Sequence, residues 1–197
     1  MAKNVFISYR FVDGVKYKNE LSKRFDSFYD TVDYSEDEDR STMSDEYIRQ
    51  YLYGKLRRSS VTIVLLTPQA LNHRKNWYGQ YNDWMYDEIR FSLEDRGNNR
   101  TNGLIAVYTP ETANQLVTLL SDGNVFVKDV DNLFRLNMMN IKTPYKTNPT
   151  NNVYDRDWDS YCSLLSWQEF TSDIGKYIDI ATQKRGVQYK YDIVKRL

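Results

Sequence analysis

The sequence predicts a three-layer α/β fold, with a central, mainly parallel five-stranded sheet flanked by helices. Short apolar, β-branched runs recur at residues 4–9, 61–66 and 103–108. The stretches between them repeat apolar residues at helical spacing. Strand-like and helix-like segments alternate along the chain, as parallel strands joined by helical crossovers do. The chain has 197 residues, 41% of them hydrophobic and 27% charged, which is enough to bury a substantial core.

Each element has its own local reason. Residues 4–9 read as a buried parallel strand, and residues 10–13 as the loop at its carboxyl end. Tyr17, Leu21, Phe25 and Phe28 share one helical face, so a helix is expected from about Gly14 to Phe28. Thr31, Val32, Asp33 and Tyr34 form a brief second strand, followed by a polar loop with the acidic run Glu36, Asp37, Glu38 and Asp39. Ser44, followed by Asp45 and Glu46, suits a helix start, because a side-chain oxygen caps free amides and acids favour the positive end of the dipole. Tyr47, Ile48, Tyr51, Leu52 and Leu56 are that helix's expected apolar face, and the strand at 61–66 follows directly.

A polar loop with Trp77, Tyr78 and Tyr81 leads to a third helix, with Met85, Ile89 and Leu93 on one stripe and Gly97, Asn98 and Asn99 at its end. Pro110 stands in the first turn of the next helix, where proline is tolerated, with Leu116, Val117 and Leu120 inward. Val125, Phe126 and Val127 are the expected fifth strand, and residues 131–157 a weakly patterned surface excursion. Ser166, with Glu169 three residues on, opens a helix carrying Phe170, Ile174, Tyr177, Ile178 and Ala181, with Gly186 at its stop. Alternation of Val187, Tyr189, Tyr191 and Ile193 predicts an edge strand. The right-handed crossover rule leaves a flavodoxin-like sheet as the expected arrangement.

Composition excludes several functions. Lys plus Arg and Asp plus Glu each number 27, so nothing marks a nucleic-acid or membrane-surface binder. No apolar segment approaches the roughly 20 residues of a membrane helix. Lys3 is followed at once by a strand-like run, so no signal peptide is expected. The single cysteine, Cys162, allows no internal disulfide, suits a reducing cytoplasm and reads as a small core residue. No G-x-G-x-x-G follows the first strand, and there is no P-loop. His73 is the only histidine, so a zinc cluster or a histidine-based nucleophile device is disfavoured, and no metal is expected.

A carboxylate-based reaction stays open. Phe6, Ile7, Ser8 and Tyr9 at the first strand, residues 59–66 at the third, and Trp84 with Glu88 in a W-x-x-x-E pattern together resemble a TIR domain over about residues 3–108. A short chain with an extended C-terminal part is similar to the TIR subunit of Thoeris antiphage systems. That resemblance implies a TIR-like core over residues 1–130 and an extension over 131–197 packed on the same domain. It implies NAD+ as a substrate rather than a cofactor, Glu88 as the catalytic acid, and an ADP-ribose-derived messenger, cyclic in the reading preferred here, that activates a separate effector. It further implies self-association through the TIR domain and a phage-derived trigger. The alternative is a non-enzymatic scaffold acting through TIR–TIR association.

Glu88 also has a physical logic. Breaking the nicotinamide–ribose bond builds positive charge on the ribose, which a nearby carboxylate stabilises. The leaving nicotinamide is already cationic in NAD+, so no strong general acid is needed. Ser8, Tyr9 and Arg10, at the ligand edge of the first strand, and Trp84, one turn before Glu88, are the expected substrate-binding residues. Each also suits a plainer role: Tyr9 a cap on the core, Arg10 a surface charge, Trp84 packing. The acidic run at 36–39 departs from the positive charge a dinucleotide phosphate would favour.

Overall fold

The computed structural model describes residues 3–25, 31–33, 45–71, 84–95, 100–121, 125–128, 130–150 and 153–197. Five parallel strands form the main sheet: β1 (Lys3–Ser8), β2 (Thr31–Asp33), β3 (Val61–Leu66), β4 (Gly103–Tyr108) and β7 (Cys162–Ser166), in the order β2-β1-β3-β4-β7. β1 pairs with β2 on one side and β3 on the other, so the chain reverses its direction of growth at β1. That reversal makes the carboxyl ends of β1 and β3 the topological switch point, where open α/β sheets place their ligands.

Both faces of the sheet are covered, which is why β3 reads as an unbroken buried run. Val5, Ile7, Ile63, Leu65, Ile105 and Val107 face helices α1 (Phe11–Phe25), α6 (Trp167–Ser172) and α7 (Ile174–Gly186). On the other face, Phe6 packs with Leu52 and Leu56 of α2 (Asp45–Arg58) and with Phe91 of α3 (Trp84–Leu93). There Val64, Leu66 and Ala106 meet Met85, Ile89 and Leu93, the stripe that the helical spacing predicts for α3. A Cβ on Gly103 would come 2.4 Å from the Ala181 carbonyl oxygen, so this glycine lets α7 lie directly against β4.

Several sequence expectations are corrected. Helix α1 begins at Phe11, before the predicted Gly14, and Gly14 N donates to Arg10 O at 2.7 Å. Val125–Val127 (β6) does not join the main sheet; it pairs antiparallel with Val117–Leu119 (β5), after the short α4 (Pro110–Leu116). The fifth main strand is β7, and its Cys162 is fully buried as expected. Leu120 is exposed rather than inward, and so is Tyr47. The excursion after residue 131 contains α5 (Asn132–Arg135), whose Leu133 and Phe134 enter the core beside α3. Asp131 caps it by accepting from Leu133 N and Phe134 N, as a chain that must turn sharply inward requires.

The predicted helix from Ser166 is two helices. Asp173 leaves helical geometry (φ −153°) and accepts from Lys176 N at 3.0 Å, which stops α6 and caps α7. Ser166 does cap α6, accepting from Glu169 N at 3.1 Å. The predicted strand at 187–193 is instead a 3-10 turn, Gln188–Lys190, followed by a single bridge between Ile141 and Tyr191. Phe28, Tyr34, the loop at 35–44 with its acidic run and Ser44, His73, Trp77, Tyr78, Tyr81, Gly97, Asn98, Asn99 and the side chains of Ile48 and Trp84 lie outside the described residues.

Candidate functional site

The site is assembled at the carboxyl edge of β1 and β3. Ser8 is the last residue of β1 and is 1% exposed. It is in register with Val64 and alternates with Phe6, so it faces the layer of α2 and α3. Among the described residues its Oγ has no hydrogen-bond partner, although a buried hydroxyl left unpaired costs about 1–3 kcal/mol.

Glu88 stands on the second turn of α3, which begins at Trp84 and packs its Met85–Ile89–Leu93 stripe on the same face. Glu88 is only 8% exposed, unlike an ordinary solvated helix acid. The helix beneath it is held by a buried polar relay. Ser92 Oγ donates to the Glu88 carbonyl oxygen at 2.7 Å and lies 2.8 Å from Thr62 Oγ1 on β3. Asn102 Nδ2 reaches Thr62 Oγ1 at 3.3 Å and the Leu56 carbonyl oxygen at 3.2 Å. Asn102 N also donates to Ser92 O at 2.7 Å. Helix α3 is thereby tied to β3, to the entry of β4 and to the end of α2.

The expected substrate-binding residues do not all meet. Ser8 and Glu88 share the α3 face. Tyr9 goes to the opposite face, where it packs against the α1 core cluster, stacks on Phe11 with ring centroids 6.3 Å apart, and covers Gly14. Arg10 is half-buried in the turn into α1. Trp84 opens α3, which puts its backbone at the same edge.

Sequence reasoning missed a second feature of this edge. A cleft of about 350 Å3 lies beside the switch point on the α1 side, lined by Val12, Asp13, Val15, Lys16, Tyr17, Pro68 and Glu111. Asp13 accepts from Thr67 Oγ1 at 2.7 Å and from Gln69 N at 2.9 Å, which ties the start of α1 to the loop after β3. Glu111 accepts from Lys16 Nζ at 2.7 Å and from the Tyr17 hydroxyl. The ammonium of Lys16, then the Tyr17 hydroxyl, hold the Glu111 carboxyl down at about 2. Glu88 does not line this cleft. The only available signal was polar residues interrupting apolar patterns, such as Thr67 after β3 and Thr62 within it.

Other reactive groups are quieter. Burial pushes the Cys162 thiol well up, which suits an inert packing residue. Among the described residues, no group of three or more His, Cys, Asp or Glu side chains is placed to hold a metal ion. No described helix is long and apolar enough to cross a membrane.

A family model described as Thoeris protein ThsB, TIR-like domain, matches residues 6–114. The chain belongs to this family. The TIR-like match runs from within β1 to within α4 and takes in Ser8, Thr62, Glu88 and Ser92. The sheet order and the two helical layers are those of a flavodoxin-like, TIR-like fold. The chain is thus a TIR-like protein of Thoeris antiphage defence. Helices α5 to α7 and strand β7, which complete its sheet and core, lie beyond the matched TIR-like span.

Proposed function

We propose that this TIR-like protein consumes NAD+ by cleaving its nicotinamide–ribose bond, with Glu88 as the catalytic carboxylate. The observation that carries the reading is the burial of Glu88 on the second turn of α3, at 8% exposure, on the sheet face that also holds the unpartnered Ser8 Oγ. A carboxylate kept from water beside a ligand edge has more effect on developing positive charge than a solvated one.

As the ribose C1–nitrogen bond breaks, its electron pair leaves with nicotinamide and neutralises the pyridinium. The ribose becomes oxocarbenium-like, and the Glu88 carboxylate stabilises it while holding the ribose hydroxyls. Ser8 Oγ serves the bound substrate as a hydrogen-bond partner. Arg10 and Trp84 contact the dinucleotide at the same edge, and Tyr9, packed on Phe11 and Gly14, supports the turn from β1 into α1. Attack by water gives ADP-ribose and a proton; attack by an atom of the same molecule gives a cyclic product. The cyclic form is the messenger in this reading, and it acts on a separate effector after a phage-derived trigger and self-association raise activity in the cytoplasm.

The test is to incubate concentrated protein with NAD+ and analyse the products by mass spectrometry. Nicotinamide together with a product one water lighter than ADP-ribose supports a cyclase, and ADP-ribose itself a hydrolase. Intact NAD+, in buffer and in lysate from phage-infected cells alike, contradicts the reading. The second reading, a scaffold without catalysis, draws on Phe11 and Val12, which are 43% and 87% exposed at the start of α1 and suit an association surface.

A further inference from the structure

Helix α3 carries Glu88, yet one of its anchors comes from far along the chain. Arg196 Nε donates to Glu94 Oε1 at 2.6 Å, just past the last turn of α3. Glu94 is 3% exposed, so the acceptor is largely desolvated, while the Arg196 side chain that reaches it is 59% exposed. The Arg90 guanidinium lies 3.8 Å from Glu94 and 3.0 Å from Asp87, and also donates to the Tyr53 hydroxyl of α2 at 3.2 Å. A line of alternating charge therefore runs along one side of α3, from Arg196 through Glu94 and Arg90 to Asp87, the neighbour of Glu88.

The segment that delivers Arg196 is itself fastened. Val194 N donates to Asn137 Oδ1 at 2.9 Å, and Asn137 Nδ2 donates back to the Val194 carbonyl oxygen at 2.7 Å. Asn137 is fully buried and also donates to Leu133 O of α5 at 2.8 Å. Ile193 and Val194 pack on the cluster that holds Met85, Ile89 and Leu93. Residues 192–196 thus form a strap across α5 onto α3, and the strap lies outside the span that the family model matches.

We propose that Arg196 is a positioning residue for the chemistry of Glu88, acting through Glu94, Arg90 and Asp87 to set the axial placement and rotation of α3. This rests on Glu88 being the catalytic acid. A helix packed on a sheet by an apolar stripe can slide and roll by small amounts at little cost; charges clamped along its flank remove that freedom. A catalytic carboxylate is sensitive to such shifts, because a misplacement of about 1 Å can cost about a hundredfold in rate.

The experiment pairs two readouts on wild type, Arg196→Ala, Arg196→Lys and the neighbouring control Lys195→Ala. The first is amide hydrogen exchange over residues 84–94. Faster exchange there in Arg196→Ala, with the far edge strand β2 and helix α1 unchanged, is expected; equal exchange overturns the proposal, as does faster exchange spread over the whole chain. The second is NAD+ turnover, with kcat expected to fall about three- to tenfold in Arg196→Ala, KM nearly unchanged, and Lys restoring part of the loss. Unchanged kcat in an active preparation also overturns it. If wild type itself shows no turnover, the reading of Glu88 as catalytic fails, and this proposal falls with it, while altered exchange alone would then mark a structural clamp.

Discussion

Ser92 Oγ lies 2.8 Å from Thr62 Oγ1, both fully buried, and this contact fixes the helix that carries Glu88 to the central strand beneath it. Because Ser92 donates its proton to the Glu88 carbonyl oxygen, Thr62 is the donor between the two hydroxyls, and Asn102 Nδ2 donates to Thr62 in turn. The relay has one direction, and among the described residues it leaves the buried Asn102 Oδ1 without a partner.

Thr62→Val keeps the shape and removes the hydroxyl, leaving Ser92 without its donor and Asn102 without one acceptor. Stability should fall by about 1–3 kcal/mol in urea unfolding. Nicotinamide release should fall with it under native conditions, since α3 loses its tie to β3. A variant as stable as wild type would mean that the three groups repack freely.

Gly103→Ala tests the close approach of α7 to β4. The added Cβ meets backbone, the Ala181 carbonyl at 2.4 Å, and backbone cannot swing aside as a side chain can. A destabilisation of about 1–3 kcal/mol is expected, read as a lowered urea midpoint. An unchanged midpoint would show that α7 moves without cost.

Much of this arrangement was legible in the sequence, for identifiable reasons. Continuous buried runs and the Met85–Ile89–Leu93 stripe depend on local pattern, so β1, β3, β4 and α3 were predictable. β7 was not, because Cys162, Ser163 and Ser166 dilute its apolar run, and its place at the sheet edge is decided by pairing with β4. α5 was hidden because only Leu133 and Phe134 signal burial within a polar stretch. Glu88 stood out through its motif. The opposite facing of Ser8 and Tyr9 follows from strand alternation, yet the partners of each face required the fold. The Arg196 strap joins residues about a hundred positions apart, which no local pattern records.

Glu111 should give the cleft beside α1 an acid-sensitive tie. Its carboxyl is held at about 2, below the ordinary 4.5, chiefly by Lys16 and then by Tyr17. The stabilisation is present in full above 4.5 and fades as pH falls towards 2. Solvent screens it, since the Glu111 side chain is 45% exposed, so the effect is small. Urea midpoints of wild type should exceed those of Glu111→Gln at pH 7, and the gap should narrow below pH 4.5 and close towards pH 2. A gap independent of pH would contradict the assignment.

Lys184 carries a penalty for its charged form where Glu111 carries a stabilisation. Its ammonium is fully buried and donates to Ser163 Oγ at 2.8 Å; burial lowers its pKa from 10.5 to about 8. The unfolded chain binds the proton up to about 10.5, so between those values stability rises with pH, and below 8 the penalty is present in full. Lys184→Met should therefore gain most over wild type at pH 7, with the difference shrinking towards pH 10. A difference that is constant or grows with pH would refute the buried charge.

The central claim is that Glu88 does the chemistry rather than shaping the fold. The measurement is NAD+ binding by calorimetry beside nicotinamide release, for wild type and Glu88→Gln. The account predicts that the variant folds and binds NAD+ with little change while nicotinamide release falls by at least about a hundredfold. Release by Glu88→Gln at the wild-type rate would contradict it.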